Sequence, residues 1–449
     1  MVWWGGQHRV PVLTLLAGYL IVCSFFNDNH QLRTFPNQKP ADGETVSENF
    51  SRWLEARADS GENAHSRPVF MAAAEGGGIR AAYWTAIVLT ALQDRNPDFG
   101  NDLYAFSGVS GGSLGGAVFN ALLKEDHSPA GVNCSGSQVY ATGTNPASMQ
   151  ACAEAVLGHD FLSPTIAAML YPDMTQRFLP FPIPKLDRAR ALENAWNVGW
   201  SRQFNSRPFA ESFHEIWQTP GTHLPALFLN GTSVETGKRI ITSNIKIDQT
   251  FSDADDFFAI NEQAVPLSTA VHNSARFTFV SPAGLIKKND DQWGRIVDGG
   301  YFENSGTTTT ADIFESIKEV IQEKQIKPVF IMITNDPNQC TTWQPCEQPE
   351  PSNMLSEILA PLQSILNTRS SRGSFAREKM KQMIESHGGI FWEFGLQNAK
   401  LKGPLPLGWE LSEAAQDVMR DDLKEQLDRL PDHIRMVLGH KLSRAVTAE

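Results

Sequence analysis

An α/β protein built on a parallel sheet is the fold class this sequence predicts, and two observations predict it. Val69-Phe70-Met71-Ala72-Ala73 is a short apolar run of buried-strand type. It ends in Glu75-Gly76-Gly77-Gly78 and passes into Ile79–Gln93, where Ala82, Ile87, Val88, Leu89 and Leu92 recur at near-helical spacing. The same form then repeats, with Leu103–Phe106 as strand, Gly108-Val109-Ser110-Gly111-Gly112 as turn and Ser113–Leu123 as helix. Strand, tight glycine turn and helix, twice in succession, is the pattern of parallel βαβ construction.

The other elements follow in order. Residues 1–30 hold an uncharged apolar run, Val10 to Phe26, preceded by Trp3 and Trp4. At about 25 Å as a helix it reaches the low end of a spanning length, which predicts a retained single-pass membrane anchor. No small-x-small cleavage site follows it, and Val22 before Cys23 fits a lipoprotein box poorly. Residues 31–65 read as a polar tether with a short helix around Phe50–Ala58, and 66–449 as the catalytic domain. Within it, about 125–215 is a loop-rich insertion. Its apolar stretches Met169–Pro172 and Phe178–Pro184 are broken by prolines, so neither makes a regular helix or central strand. They read as a stiff cover over the core or as a lid facing lipid. Leu224–Gly231, Lys238–Ile247 and Pro328–Thr334 read as strands, and 350–449 as largely helical with a late strand at Gly389–Phe394.

Composition narrows the function. Forty-one per cent hydrophobic and 20% charged residues describe a globular chain with a sizeable core. A formal charge of −12 argues against nucleic acid, since phosphate binding needs a basic surface. The same excess repels an anionic bilayer, so contact with lipid has to come from a local apolar or basic patch. Of five cysteines, Cys23 lies in the apolar run, while Cys134, Cys152, Cys340 and Cys346 sit in loop composition. Four loop cysteines suit an oxidising compartment, and with the anchor they place the catalytic domain outside the cytoplasm, periplasmic or extracellular. Four free thiols in a cytosolic enzyme are the competing reading. Neither pair has zinc spacing, no calcium-type loop is present, and no cofactor is expected.

Three motifs carry chemistry. Gly108-x-Ser110-x-Gly112 after a strand and before a helix has the form of a nucleophile elbow. Gly76-Gly77-Gly78 exposes backbone N–H groups at a helix N-terminus, where the dipole favours negative charge, so with Gly111 it can hold an oxyanion. The same residues fit G-x-G-x-x-A, the dinucleotide fingerprint. That reading suffers because Asp94 and Asp98, the candidate ribose acids, fall beside a helix end. Arg295-Ile296-Val297-Asp298-Gly299-Gly300 then places an aspartate at a strand end with room to turn, a candidate base acting directly on Ser110. The histidines after it, His387, His433 and His440, lack triad context.

Taken together, GGGIRA, Gly-x-Ser-x-Gly and the distant Asp-Gly-Gly resemble the patatin-like phospholipase family, and GGGIRA is also similar to the cytosolic phospholipase A2 relatives. The likeness covers 69–123 and 268–307 best. Glu75 and Ala81 depart from it, where many members have Asp and Gly. It implies a three-layer α/β/α fold and a Ser110–Asp298 dyad. Gly76, Gly77, Gly78 and Gly111 would form the oxyanion hole, and Arg80 would meet substrate phosphate. Asn304 would support the turn of Asp298, and Arg276 would line the site. The expected activity is hydrolysis of carboxylic ester bonds of phospholipids or related lipids at a membrane surface, with no signal for oligomeric state. A Ser-His-Asp esterase for soluble substrates and a non-catalytic lipid-binding scaffold are the alternatives.

Overall fold

The structure, a computed structural model, describes residues 11–27, 29–58, 67–127, 134, 148–218, 223–277, 280–289, 291–336, 356–397 and 408–438. Nine strands form one sheet: β1 (Val69–Ala74), β2 (Leu103–Val109), β3 (Ala226–Ser233), β4 (Arg239–Ser243), β5 (Ala254–Asp256), β6 (Gly284–Lys288), β7 (Asp291–Asp298), β8 (Pro328–Thr334) and β9 (Ile390–Gly395). Their order is β5-β4-β3-β2-β1-β8-β9, with the β6–β7 hairpin joined to the far end of β3. Every pairing from β3 through β9 along that path is parallel, and antiparallel pairs occur where β3 meets β4 and β7.

The larger helices are α1 (Val12–Phe26), α2 (Val46–Ala58), α3 (Gly78–Arg95), α4 (Gly111–Asp126), α5 (Met149–Leu157), α6 (Leu162–Ala168), α7 (Arg188–Ser201), α8 (Leu267–Ser274), α9 (Thr307–Glu323), α10 (Ser356–Ser386), α11 (Glu413–Asp428) and α12 (Asp432–Leu438). Strand β1 shows why the architecture has three layers. Its side chains alternate between faces, so Phe70, Ala72 and Ala74 join one core with Ile79 and Trp84 of α3 and Leu114 and Val118 of α4. Val69, Met71 and Ala73 join a second core with Phe50 of α2, Ile313 and Ile317 of α9 and Ile384 of α10. Burial on both faces is what an unbroken apolar strand requires. Parallel pairing also brings the carboxyl ends of β1, β2 and β8 to one edge of the sheet, the usual place for a site in such folds.

Two regions depart from expectation. Of the expected tether 31–65, residues 31–58 are described and pack as a strap: Leu32, Val46, Phe50 and Leu54 are buried, and Tyr104 donates a hydrogen bond to the Val46 carbonyl at 3.0 Å. The expected transmembrane helix is corrected too. Among the described residues no helix is long and apolar enough to cross a membrane. Helix α1 has 15 residues, about 22 Å, against about 30 Å of hydrocarbon. It is also tied to the insertion: the Tyr19 hydroxyl donates to the Phe178 carbonyl at 2.8 Å, and the Asn27 amide to those of Gln176 and Leu179 at 2.8 and 2.9 Å. The expected placement outside the cytoplasm thereby loses its anchor. In the insertion, Met169–Asp173 forms a widened π-helical turn around Pro172, which lacks the N–H a regular helix needs. Cys134 and Cys152 form a disulfide; Cys340 and Cys346 lie outside the described residues.

Candidate active site

Ser110 stands between β2 and α4 with φ 53° and ψ −120°. A non-glycine residue at such an angle costs about 1–3 kcal/mol and persists only where its surroundings impose it. Here the imposition is visible. The Ser110 N–H donates to Ser274 Oγ at 2.9 Å, and the Ser274 hydroxyl donates to the Asn230 carbonyl at 2.6 Å and meets Ser113 Oγ at 2.8 Å. The Asn230 amide donates in turn to Ser107 Oγ and the Gly108 carbonyl at 2.9 and 2.8 Å. A buried polar strut of β2, β3 and α8 residues thus fixes the turn. On the other side the turn has no room: a Cβ on Gly111 would overlap the Gly78 carbonyl oxygen, and one on Gly112 would lie 2.6 Å from that of Glu75.

The glycine triplet follows β1 and opens α3. Its first peptide is clamped by two asparagines. The Gly76 N–H donates to the Asn304 carbonyl at 3.0 Å, while the Gly76 carbonyl accepts from Asn304 Nδ2 at 3.2 Å and Asn335 Nδ2 at 2.9 Å. Asn304 therefore holds the glycine loop, where the sequence reading gave it the turn of Asp298. Arg80 Nε donates to Asn335 Oδ1 at 3.0 Å, so this nitrogen braces the clamp. The Arg80 side chain is buried, and burial lowers its pKa against the pull of Asp336 and Glu75. Glu75 is buried as well, and loss of solvent pushes its pKa up to about 8, opposed by Arg377 and the Asn335 N–H.

Asp298 ends β7. Its N–H donates to the Arg276 carbonyl at 3.1 Å, and its Oδ1 accepts the Gly300 N–H at 2.8 Å. Ser110, Asp298, Asn304 and Gly76, Gly77 and Gly78 all line one cavity of 260 Å³. Leu162, Phe277, Val280 and Trp409 supply its apolar wall, and Phe277 stacks on Tyr301 with ring centres 6.1 Å apart. Gly111 packs behind the triplet, and Arg80 and Arg276 are not among the lining residues. Leu162 and Trp409 were missed because no local motif marks an apolar residue that reaches a site from a distant segment.

A second serine has a histidine partner. His272 Nε2 meets Ser281 Oγ, and its Nδ1 lies 3.1 Å from Glu193 Oε1. Burial pushes the His272 pKa down to about 4, so the ring is neutral and the Glu193 contact is a hydrogen bond. Burial alone would raise the Glu193 pKa, but His272, Arg33 and Arg276 more than offset it. His272 precedes Asp298 in the chain, unlike the three histidines whose context the sequence offered for a triad. Of those, His387 Nδ1 bonds the Met383 carbonyl at 2.8 Å and His440 lies outside the described residues. His30, Asp173 and Asp187 come within 4.8 Å of one another as a metal set would, yet Arg188 pairs with Asp173 and His30 with Asp187.

No family model matches the chain. No curated protein matches it either. Among solved structures it is similar to human GIVD cytosolic phospholipase A2, at 10% identity and TM-score 0.32 over 79% of this chain and 52% of that one. The same human enzyme in complex with methyl gamma-linolenyl fluorophosphonate gives 14% and 0.38 over 88% and 63%. The chain thus spans about half to two thirds of these proteins' length. Likeness this weak carries no functional weight.

Proposed function

We propose that the protein is a serine hydrolase of carboxylic ester bonds in lipids, with Ser110 as nucleophile and Asp298 as general base. The observation that carries this reading is a strained serine at a strand–helix turn, lining one cavity with a strand-end carboxylate and a glycine loop. Asp298 takes the Ser110 proton as the hydroxyl oxygen bonds to the ester carbonyl carbon. The tetrahedral oxyanion is held by the backbone N–H groups of Gly77, Gly78 and Gly111, at the positive end of α3; the Gly76 N–H, expected among them, is already given to the Asn304 carbonyl. Collapse breaks the bond to the alcohol, which leaves with the proton from Asp298. Water then attacks the acyl-enzyme, again losing its proton to Asp298, and the acid is released with Ser110 restored. The wall of Leu162, Phe277, Val280 and Trp409 suits an acyl chain.

The test is hydrolysis of a chromogenic ester, then of a phospholipid panel. Ser110→Ala and Asp298→Asn each lower kcat by at least about a thousandfold, with the thermal midpoint held. Full activity in Asp298→Asn would end the dyad reading. Ser281–His272–Glu193 supports a second reading, a serine–histidine hydrolase. A fluorophosphonate label separates the two by the serine it modifies.

A further inference from the structure

The insertion and α1 together present an apolar face rimmed by cations. Helix α1 contains no charged residue, and Leu13, Ile21, Val22, Phe25 and Phe26 are 55–81% exposed. The hydrogen bonds from Tyr19 and Asn27 to 176–179 seat this helix beside Leu170, Tyr171, Met174 and Phe181, which are also exposed. These bonds hold α1 against the chain segment that carries those four side chains. A soluble protein rarely leaves so many large apolar side chains together in water.

Charge identifies what covers them. Between 162 and 186 the sole acid is Asp173, buried and paired with Arg188, whereas Arg177 and Lys185 are exposed. In a chain of net charge −12, the solvent-facing charges of these two segments are thus cationic. Arg177 also shares a cleft of 410 Å³ with Leu20, Ser24, Asn27 and His30, where an anionic headgroup fits beside the apolar face. The face is connected to the cavity: α6 begins at Leu162 in the cavity wall and leads into Leu170, and Arg188 links Asp173 to the Val280 carbonyl at 3.1 Å.

We infer that this face docks on the surface of an anionic phospholipid bilayer, with α1 and 170–181 lying in the interface and Arg177 meeting headgroup phosphate. Apolar burial at the headgroup boundary and attraction to anionic lipid then act together. Docking is independent of the chemistry at Ser110, so the two readings fail separately.

The experiment is co-sedimentation of the full chain carrying Ser110→Ala with phosphatidylcholine vesicles, with and without phosphatidylglycerol. Binding strengthens with phosphatidylglycerol. Arg177→Gln weakens that gain by about fivefold, and Tyr171→Ser with Phe181→Ser weakens binding to both vesicles by about tenfold or more. With Ser110 intact, these variants keep the wild-type rate on a soluble ester and the wild-type thermal midpoint. Absence of vesicle binding by the parent chain overturns the inference. So does unchanged vesicle binding in the variants, or sedimentation showing that they only split a dimer of this chain.

Discussion

Ser110 and Ser281 are both buried serines near ionisable partners, and they differ in nearly everything that chemistry needs. Ser110 sits at a left-handed backbone angle on a strand–helix turn and borders a cavity shared with Asp298 and the glycine loop. Ser281 lies in a loop next to Val280 of the cavity wall, and its hydroxyl is taken up by His272. That histidine is fully buried and neutral, and Glu193 behind it is shared by Thr269, Arg33 and Arg276. On the proposed reading, access and oxyanion donors separate the two, since the cavity and the glycine loop lie on the Ser110 side. The Ser281 network ties α7, α8 and the 280–282 loop together through buried polar contacts.

The sharpest way to break this comparison is to read fluorophosphonate labelling and ester turnover in Ser110→Ala beside Ser281→Ala. The first should lose both by more than about a thousandfold, the second by less than about threefold. The reverse pattern would transfer catalysis to the histidine site.

Gly111→Ala comes next. Its methyl group would overlap the Gly78 carbonyl, so the glycine loop has to shift. Turnover per folded molecule should drop by about a hundredfold, as for loss of one oxyanion donor, and the thermal midpoint should fall as well, because the clash is with backbone. Retained turnover would mean that the glycine loop holds no charge.

His272→Ala should act on stability, costing about 2–4 kcal/mol in denaturant unfolding through a cavity and an unmet Glu193 contact. Ester hydrolysis per folded molecule should be unchanged. The pH dependence has a defined sign: His272 is depressed to about 4 from 6.5, so its contribution is complete above about pH 6.5 and is lost as pH falls toward 4. His272→Ala should remove that acid-side loss.

Glu75 gives the smallest effect and the opposite slope. Its pKa is raised to about 8, so the protonated form favours the fold below the ordinary carboxylate range and that advantage fades as pH rises through 8. Glu75→Gln should flatten the alkaline limb of the stability–pH curve by about 1 kcal/mol or more. A parallel curve would show that Arg377 keeps the carboxylate ionised.

Much was legible in the sequence because it is written locally. Two strand–glycine–helix units fix the parallel core, since apolar period and glycine placement act over a few residues. The same locality exposes Ser110 in its elbow, the triplet Gly76–Gly78 and the Asp-Gly-Gly that ends β7. Whether a 17-residue apolar run forms a spanning helix or a shorter one tied to its own protein is not written locally, because the tie is a hydrogen bond to a residue more than 150 positions away. The structure gives a 15-residue helix hydrogen-bonded to Phe178. Tertiary structure alone also decided that Arg80 braces Asn335, that Asn304 clamps Gly76 and that Leu162 and Trp409 wall the cavity. Such contacts join residues far apart in the chain, and a polar side chain's partner depends on which distant backbone groups folding brings within about 3 Å. Sequence determines the parts that make their own shape; packing determines which buried donor meets which acceptor.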